Sequence, residues 1–142
     1  FKDLLEAVYQ RTNAIQYHLG ISSDYEQYIW KYWGNMNITY DIGSAHCHPE
    51  SFLSCVYYAK ADNKSGQLEF INPVTQIQPI VQDKMIDTYT KYVAKTWIID
   101  PTPGKLIIFP SWLWHFVTRN ESDCNRISIA LDTKIRLKND TT

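Results

Sequence analysis

The chain of 142 residues lacks a charge excess of either sign and has few cysteines. Fourteen Lys and Arg residues stand against fifteen Asp and Glu residues, which gives a formal net charge of −1. Binding to nucleic acid through its phosphates requires a basic excess, so the charge does not indicate a nucleic-acid partner. The three cysteines, Cys47, Cys55 and Cys124, are odd in number and follow no CxxC spacing. This pattern favours reduced thiols and a cytoplasmic protein.

Long hydrophobic runs and a secretory signal are also missing. No stretch of eighteen apolar residues occurs, and the opening FKDLLEAVYQ lacks the basic and apolar regions of a signal peptide. These absences predict a protein that does not enter a membrane. The length predicts a single domain over residues 1–142 with a core of its own. None of these features indicates an oligomeric state.

Two periodicities divide the chain. Residues 1–33 have apolar and aromatic residues at roughly helical spacing, and Ser23 or Asp24 is suited to cap a second short helix. From residue 34 to 137 short β-branched and aromatic runs alternate with Gly, Pro, Asn and Asp, which is typical of many short strands. The predicted strands lie near 35–40, 44–48, 52–60, 67–71, 96–100, 105–109, 113–119 and 126–135.

This pattern predicts a mainly β fold. We expect a jelly roll (double-stranded β-helix) over residues 34–137, with the N-terminal helices packed on it. Residues 74–95 are expected to form a long loop with a helical turn, and such insertions are often lids over sites.

Three of the four histidines lie on predicted strands. On a strand near 44–48, His46 and His48 are at positions i and i+2, so they point to the same side while Cys47 points away. Two imidazoles at this spacing are able to bind one metal ion. His115 is the candidate for a third ligand, because strands distant in sequence become neighbours in a Greek-key fold. The alternative is that all three are ordinary histidines satisfied by hydrogen bonds.

The last predicted strand carries an arginine that is suited to bind an anion. Arg126 and Ser128, within CNRISIALD, again lie at i and i+2 on one strand face. An inward arginine is costly without an anion, and its planar guanidinium suits a carboxylate such as that of a small dicarboxylate. The alternatives are an internal ion pair with Glu50 or Asp132, or an exposed arginine.

The order of these motifs resembles that of the 2-oxoglutarate and Fe(II)-dependent oxygenases, and in particular of a family found in phages and marine bacteria. The matching stretches are HCHPESFLSCVYYAK, GKLIIFPSWLWHFV and RISIALD, and the resemblance covers about residues 33–135. It implies a jelly roll that binds Fe(II), uses 2-oxoglutarate and molecular oxygen, hydroxylates an unidentified substrate, and releases succinate and CO2. It also implies the cytoplasm of a bacterial or phage-infected host cell as the location.

The resemblance implies roles for individual residues. The implied metal ligands are His46, His48 and His115, and the implied cosubstrate contacts are Arg126, Ser128 and Tyr40. One of Tyr57 and Tyr58 is expected to face the pocket, because neighbouring strand residues point to opposite sides.

The chain departs from the family at one ligand position. Most of these oxygenases have HxD or HxE where this chain has His46 and His48. The substitution makes an Fe(II) site one charge more positive, although imidazole remains a competent iron ligand. Asp41 and Glu50 are the acidic alternatives, and we expect His48 because the i, i+2 spacing needs no bend in the strand.

Two other function classes stay open. One is a cupin, a jelly roll that binds a metal through three histidines and acts without 2-oxoglutarate. The other is a jelly-roll binding module without turnover, since a fold does not by itself imply an activity.

Overall fold

The computed structural model describes residues 1–74, 83–90 and 92–138. These residues form one α-helix, eight strands and a short 3-10 helix at Asp83–Met85. The helix and strands, in chain order, are α1 (Lys2–His18), β1 (Tyr25–Asn37), β2 (Gly43–His46), β3 (Leu53–Lys60), β4 (Leu68–Ile71), β5 (Thr96–Ile99), β6 (Leu106–Pro110), β7 (His115–Val117) and β8 (Arg126–Leu137).

The strands form two antiparallel sheets of four. The first sheet has the order β1-β8-β3-β6 and the second has the order β2-β7-β4-β5. Strands far apart in sequence are therefore neighbours in both sheets, as the predicted jelly roll requires. Buried side chains from the two sheets meet between them, and they include Leu68, Phe70, Phe109 and Leu113.

Helix α1 covers the outer face of the first sheet. Val8 is fully buried there against Cys55 of β3 and Leu131 of β8, with Leu4 and Leu5 packed beside it. Burying each such side chain stabilises the fold by about 1.5–3 kcal/mol. The first sheet is thus buried on both faces, and residues that alternate along β3 and β8 serve two separate apolar layers.

The prediction of a second N-terminal helix is wrong. The residues that were expected to form it lie in β1, so the predicted boundary at residue 33 falls inside a strand. Asp24 caps no helix, and its backbone N–H instead donates to Ser22 Oγ at 3.1 Å in the turn before β1.

A β-bulge in β1 explains this error. Ile29 lies opposite Thr133 whereas Lys31 lies opposite Asp132, so Trp30 is an extra residue in the pairing. Before the bulge Ile29 packs in the layer under α1, and after it Trp33 faces the space between the sheets. The inserted residue interrupts the two-residue alternation, and large side chains consequently follow one another at spacings that imitate a helix.

Each predicted strand overlaps an observed one, and the bounds differ by a few residues except in β1. The predicted lid at residues 74–95 is described only in part, because residues 75–82 and 91 lie outside the described residues. Its expected helical turn corresponds to the 3-10 helix. Within the described ranges, no helix combines the length and the apolar character needed to cross a membrane.

Candidate active site

The three predicted metal ligands converge between the sheets. His46 and His115 are direct partners in the β2–β7 pairing, with ring centroids 4.4 Å apart. The ring of His48 lies 5.1 Å from that of His46 and 5.3 Å from that of His115. One ring nitrogen of each histidine lies within 4.8 Å of the other two. The cluster is therefore close enough for one metal ion to be shared among three imidazoles.

His48 reaches the cluster by a route that the sequence did not predict. Strand β2 ends at His46, so His48 is not on the strand where the i, i+2 argument placed it. Its backbone N–H instead donates at 2.8 Å to the carbonyl oxygen of Ser111, the residue that follows β6. Cys47 is half-buried, and all three cysteines are free.

Hydrogen bonds fix the tautomer of each histidine. In all three rings Nδ1 donates to an oxygen that only accepts, and Nε2 consequently keeps a free lone pair toward the cluster. Such outer hydrogen bonds orient imidazoles for metal binding. The acceptors are the Ser44 carbonyl for His46 at 2.7 Å, the Leu113 carbonyl for His115 at 2.9 Å, and both carboxylate oxygens of Asp132 for His48 at 2.8 Å.

Asp132 is a fully buried carboxylate behind His48. Besides the His48 ring, Ser54 Oγ donates to it at 2.6 Å and Lys31 Nζ lies 3.0 Å from it. Burial by itself would raise the pKa of Asp132, but the hydrogen bonds from His48, Ser54 and Lys31 outweigh burial and hold this pKa at about 2. Asp132 is therefore ionised at neutral pH.

His115 is held neutral. It is 4% exposed, and burial lowers its pKa to about 4, against a smaller opposing effect of the hydrogen bond to Leu113. At neutral pH a metal ion therefore meets an imidazole without a proton to displace.

A cavity of about 150 Å³ opens between the sheets. All three histidines line it, and so do Arg126 and Ser128 at the start of β8. We call it the central cavity. A single water needs only about 10–15 Å³ of such space, so the cavity has room for a small molecule.

Arg126 lies in this cavity without a carboxylate partner. It is 2% exposed, and its Nη1 donates to Asn37 Oδ1 at 3.0 Å and lies 3.5 Å from Ser128 Oγ. Among the described residues its Nε has no hydrogen-bond partner and no acidic side chain forms an ion pair with it. Asp132 is bonded to His48 and Glu50 is exposed, so neither of the ion pairs considered from the sequence is formed. A buried guanidinium in this state is suited to an anionic ligand.

The two adjacent tyrosines of β3, Tyr57 and Tyr58, point to opposite faces of the sheet. Tyr58 is fully buried, and the guanidinium of Arg126 lies 4.9 Å from its ring centroid. Burial raises the pKa of Tyr58, partly offset by the charge of Arg126. Tyr57 faces the other way, into the groove beside Leu4 of α1. Tyr58 is thus the tyrosine on the cavity side, although it supports Arg126 rather than lining the cavity itself.

Tyr40 and the acidic alternatives lie outside the cluster. Tyr40 is 69% exposed, does not line the central cavity, and has the Arg119 guanidinium 5.9 Å from its ring centroid. Its predicted cosubstrate contact therefore stays a prediction that the geometry does not support. Asp41 accepts a hydrogen bond from the Ile38 backbone, and neither Asp41 nor Glu50 belongs to the group of ligand atoms formed by the histidines.

From the sequence, Asp132 had no predicted role at the metal site, and Trp33 was placed on a helix rather than on a strand. Asp132 was considered only as a partner for Arg126, although it lies at i+6 on the same strand face and so belongs to the interior. Trp33 lines the central cavity with its ring centroid 5.8 Å from that of His48. The strand alternation that would have placed Trp33 in the interior is interrupted by the bulge at Trp30.

Comparison with protein families identifies the chain's relatives. A family described as "Putative 2OG-Fe(II) oxygenase", where 2OG is 2-oxoglutarate, matches residues 31–132. The chain belongs to this family. Fe(II) and 2-oxoglutarate are thus the cofactor and cosubstrate of its family, and the family match favours an oxygenase over a cupin. Among curated proteins, none matches the chain.

Solved structures of 2OG-Fe(II) oxygenases share the fold. A family member from Burkholderia pseudomallei is 14% identical with a TM-score of 0.60 over 80% of this chain and 47% of its own. A prolyl-4-hydroxylase from Pseudomonas putida is 18% identical, with a TM-score of 0.57 over 91% and 62%. EvdO2 from Micromonospora carbonacea var. aurantiaca, complexed with 2-oxoglutarate, is 16% identical, with a TM-score of 0.56 over 92% and 62%. This chain therefore spans about half to two thirds of their length, and at these identities the similarity shows the fold alone.

Proposed function

We propose that the chain is an Fe(II)- and 2-oxoglutarate-dependent oxygenase that hydroxylates its substrate. The observation that carries the proposal is the composition of the central cavity. It combines three imidazoles with free Nε2 atoms and a buried arginine without a carboxylate partner among the described residues. These are the two groups of protein atoms that a metal ion and an acidic cosubstrate need together.

The residues of the cavity divide the binding between them. His46, His48 and His115 would hold Fe(II), because each has a ring nitrogen available to the same position. Arg126 would bind the far carboxylate of 2-oxoglutarate through its guanidinium, and Ser128 would donate a second hydrogen bond to it.

The cofactor pair supplies the oxidation when bound, by coupling the conversion of 2-oxoglutarate to succinate and CO2 to the activation of O2 toward a C–H bond. The protein contributes the positioning of the bound groups and the exclusion of bulk water. His115 and Arg126 are almost fully buried, so their contacts with ligands are made away from bulk water, where they are stronger than at a surface. Trp33 covers His48 on the side of β1.

The organic substrate is a small molecule or a macromolecule. Molecular oxygen is the second substrate, and the cytoplasm of a bacterial or phage-infected cell is the proposed location. The resemblance to the phage and marine-bacterial family supports that location.

An anaerobic titration tests the proposal. Apoprotein is titrated with Fe(II) and then with 2-oxoglutarate, and the visible charge-transfer band of a 2-oxo acid chelated to iron is followed, with Arg126→Met as the matched variant. We expect the band in the wild type and a weaker band at equal 2-oxoglutarate concentration in the variant.

Two outcomes would contradict the proposal. Iron binding without a band would favour the cupin mechanism, in which a three-histidine metal acts without 2-oxoglutarate. No iron binding would favour a jelly-roll binding module that has lost turnover.

A further inference from the structure

The proposed Fe(II) site has no anionic ligand among its three histidines. Three neutral imidazoles leave the full double charge of Fe(II) uncompensated by its protein ligands, whereas an HxD or HxE site compensates one unit of it. A negative charge does contact the cluster from behind: the two carboxylate oxygens of Asp132 both lie 2.8 Å from Nδ1 of His48.

This carboxylate is held by a row of residues across the first sheet. In the strand register Lys31 of β1 and Ser54 of β3 lie on either side of Asp132 of β8. Both bind the carboxylate, Lys31 at 3.0 Å and Ser54 at 2.6 Å. Ser54 in turn lies 2.9 Å from the buried Ser111 hydroxyl, which donates to it because the Ser54 proton is directed to Asp132. The carboxylate is therefore fixed in place before any metal arrives.

The contact is aimed at one histidine only. His46 and His115 donate to neutral backbone carbonyls, whereas His48 donates to an ionised carboxylate. A hydrogen bond to a charged acceptor is roughly twice as strong as one to a neutral acceptor, and it makes the imidazole a better electron donor at Nε2. His48 is also the residue that stands where most relatives have their carboxylate ligand.

We infer that Asp132 is a positioning residue which holds His48 in its Nδ1–H tautomer and supplies, through the imidazole, the negative charge that an Asp or Glu ligand would give directly. The inference rests on the proposed function, because it assumes that the three histidines bind Fe(II). In this arrangement the acidic group is separated from the metal by one imidazole ring, and the buried Ser54 hydroxyl sets its orientation.

Three variants separate charge from shape. Asp132→Asn keeps the size and an acceptor oxygen for His48 but removes the charge. Asp132→Leu removes both. Lys31→Met is the matched control, since it alters another member of the same row while leaving the carboxylate and its bond to His48 intact. Thermal unfolding of each apoprotein shows whether the variant is folded.

Two measurements are made on these proteins. Nitrogen-15 NMR of the imidazoles in the apoprotein reports the tautomer of His48, and anaerobic calorimetry with Fe(II) reports affinity. We expect about 10–100-fold weaker Fe(II) binding in Asp132→Asn. In Asp132→Leu we expect still weaker binding and a mixture of His48 tautomers. In Lys31→Met, affinity should equal or exceed that of the wild type, because the lysine partly neutralises Asp132.

Several outcomes would overturn the inference. One is Fe(II) affinity in Asp132→Asn within about twofold of the wild type, the range of a surface substitution. Another is an equal loss in Lys31→Met, which would assign the effect to packing of the row. Absence of Fe(II) binding in the wild type would instead remove the proposed function, and the NMR spectrum of Asp132→Leu would still test the tautomer: an unchanged His48 would show that Asp132 does not set it.

Discussion

The two ends of the central cavity differ in how their charged groups are satisfied. At the histidine end, Asp132 accepts hydrogen bonds from three side chains, and each histidine has an acceptor for Nδ1. At the arginine end, Arg126 is similarly buried, but its hydrogen-bond acceptors are only the amide oxygen of Asn37 and the more distant hydroxyl of Ser128. Its Nε has no hydrogen-bond partner among the described residues. The protein therefore satisfies the polar groups of the histidine end with its own atoms, whereas the arginine end needs a ligand to satisfy Arg126.

Removing each charged group from the apoprotein tests most directly whether the two ends differ in their contribution to stability. We expect Asp132→Leu to lower the free energy of unfolding by about 3 kcal/mol, because His48 and Ser54 lose a buried acceptor. Arg126→Met should leave it unchanged or raise it, since an uncompensated buried charge is removed and the apolar stem is kept. Urea unfolding followed by circular dichroism measures both. A comparable loss in Arg126→Met would show that the arginine end is also complete without a ligand.

The histidine end also predicts a pH dependence of apoprotein stability. Above pH 6.5 the buried His115 and its unfolded counterpart are both neutral, so the residue contributes nothing to the pH dependence. As the pH falls from 6.5 toward 4, the unfolded chain gains a proton that the folded protein does not, and stability falls by about 3 kcal/mol. Asp132 acts in a separate window: its stabilisation is present above its unfolded value of 3.8 and is lost as the pH falls toward 2.

Denaturant unfolding at a series of pH values checks this prediction. His115→Gln, which does not titrate, is the control and should flatten the profile between pH 6.5 and 4. An identical slope in the control would assign the pH dependence to other groups.

Graded substitutions of Arg126 test whether the arginine end binds 2-oxoglutarate. We expect Arg126→Met to weaken 2-oxoglutarate binding to the Fe(II) protein by about 10–150-fold, the value of 1.5–3 kcal/mol for hydrogen bonds to a charged group. Arg126→Lys should fall between, because lysine keeps the charge but not the planar fork. Calorimetry measures both, and Fe(II) affinity without cosubstrate should not change. Equal binding in all three proteins would place the cosubstrate elsewhere.

The smallest effect is expected outside the cavity. Tyr40→Phe should change 2-oxoglutarate affinity by no more than about twofold, because its hydroxyl is on an exposed side chain that does not line the central cavity. Phe keeps the ring, and it disturbs the backbone at this residue, with φ of 72°, as little as any substitution. A tenfold loss would restore Tyr40 to the cosubstrate site.

Strand alternation was enough to predict part of this comparison. It placed Arg126 and Ser128 on one inward face, and it placed His46 and His115 on strands whose pairing the jelly roll supplies. It failed for His48, because β2 ends two residues earlier and a backbone bond to Ser111 turns the chain inward instead.

Contacts across the sheet lay beyond what one sequence pattern expresses. His48 and Asp132 are 84 residues apart, and their meeting depends on the register of β3 against β8, which no single strand encodes. The nature of β1 was missed for a related reason, since the inserted Trp30 changes which residues share a face.

That inserted residue gives β1 a property unlike that of a loop. Ile29, before it, belongs to the layer under α1, and Lys31 and Trp33, after it, belong to the Asp132 row and the central cavity. A loop absorbs a change of length by altering its path. In β1 the extra residue instead decides which face is presented: in a regular strand Ile29, Lys31 and Trp33 would share one face, and Lys31 and Trp33 would point away from Asp132 and the central cavity. The bulge therefore sets the layer toward which each half of β1 directs its large side chains.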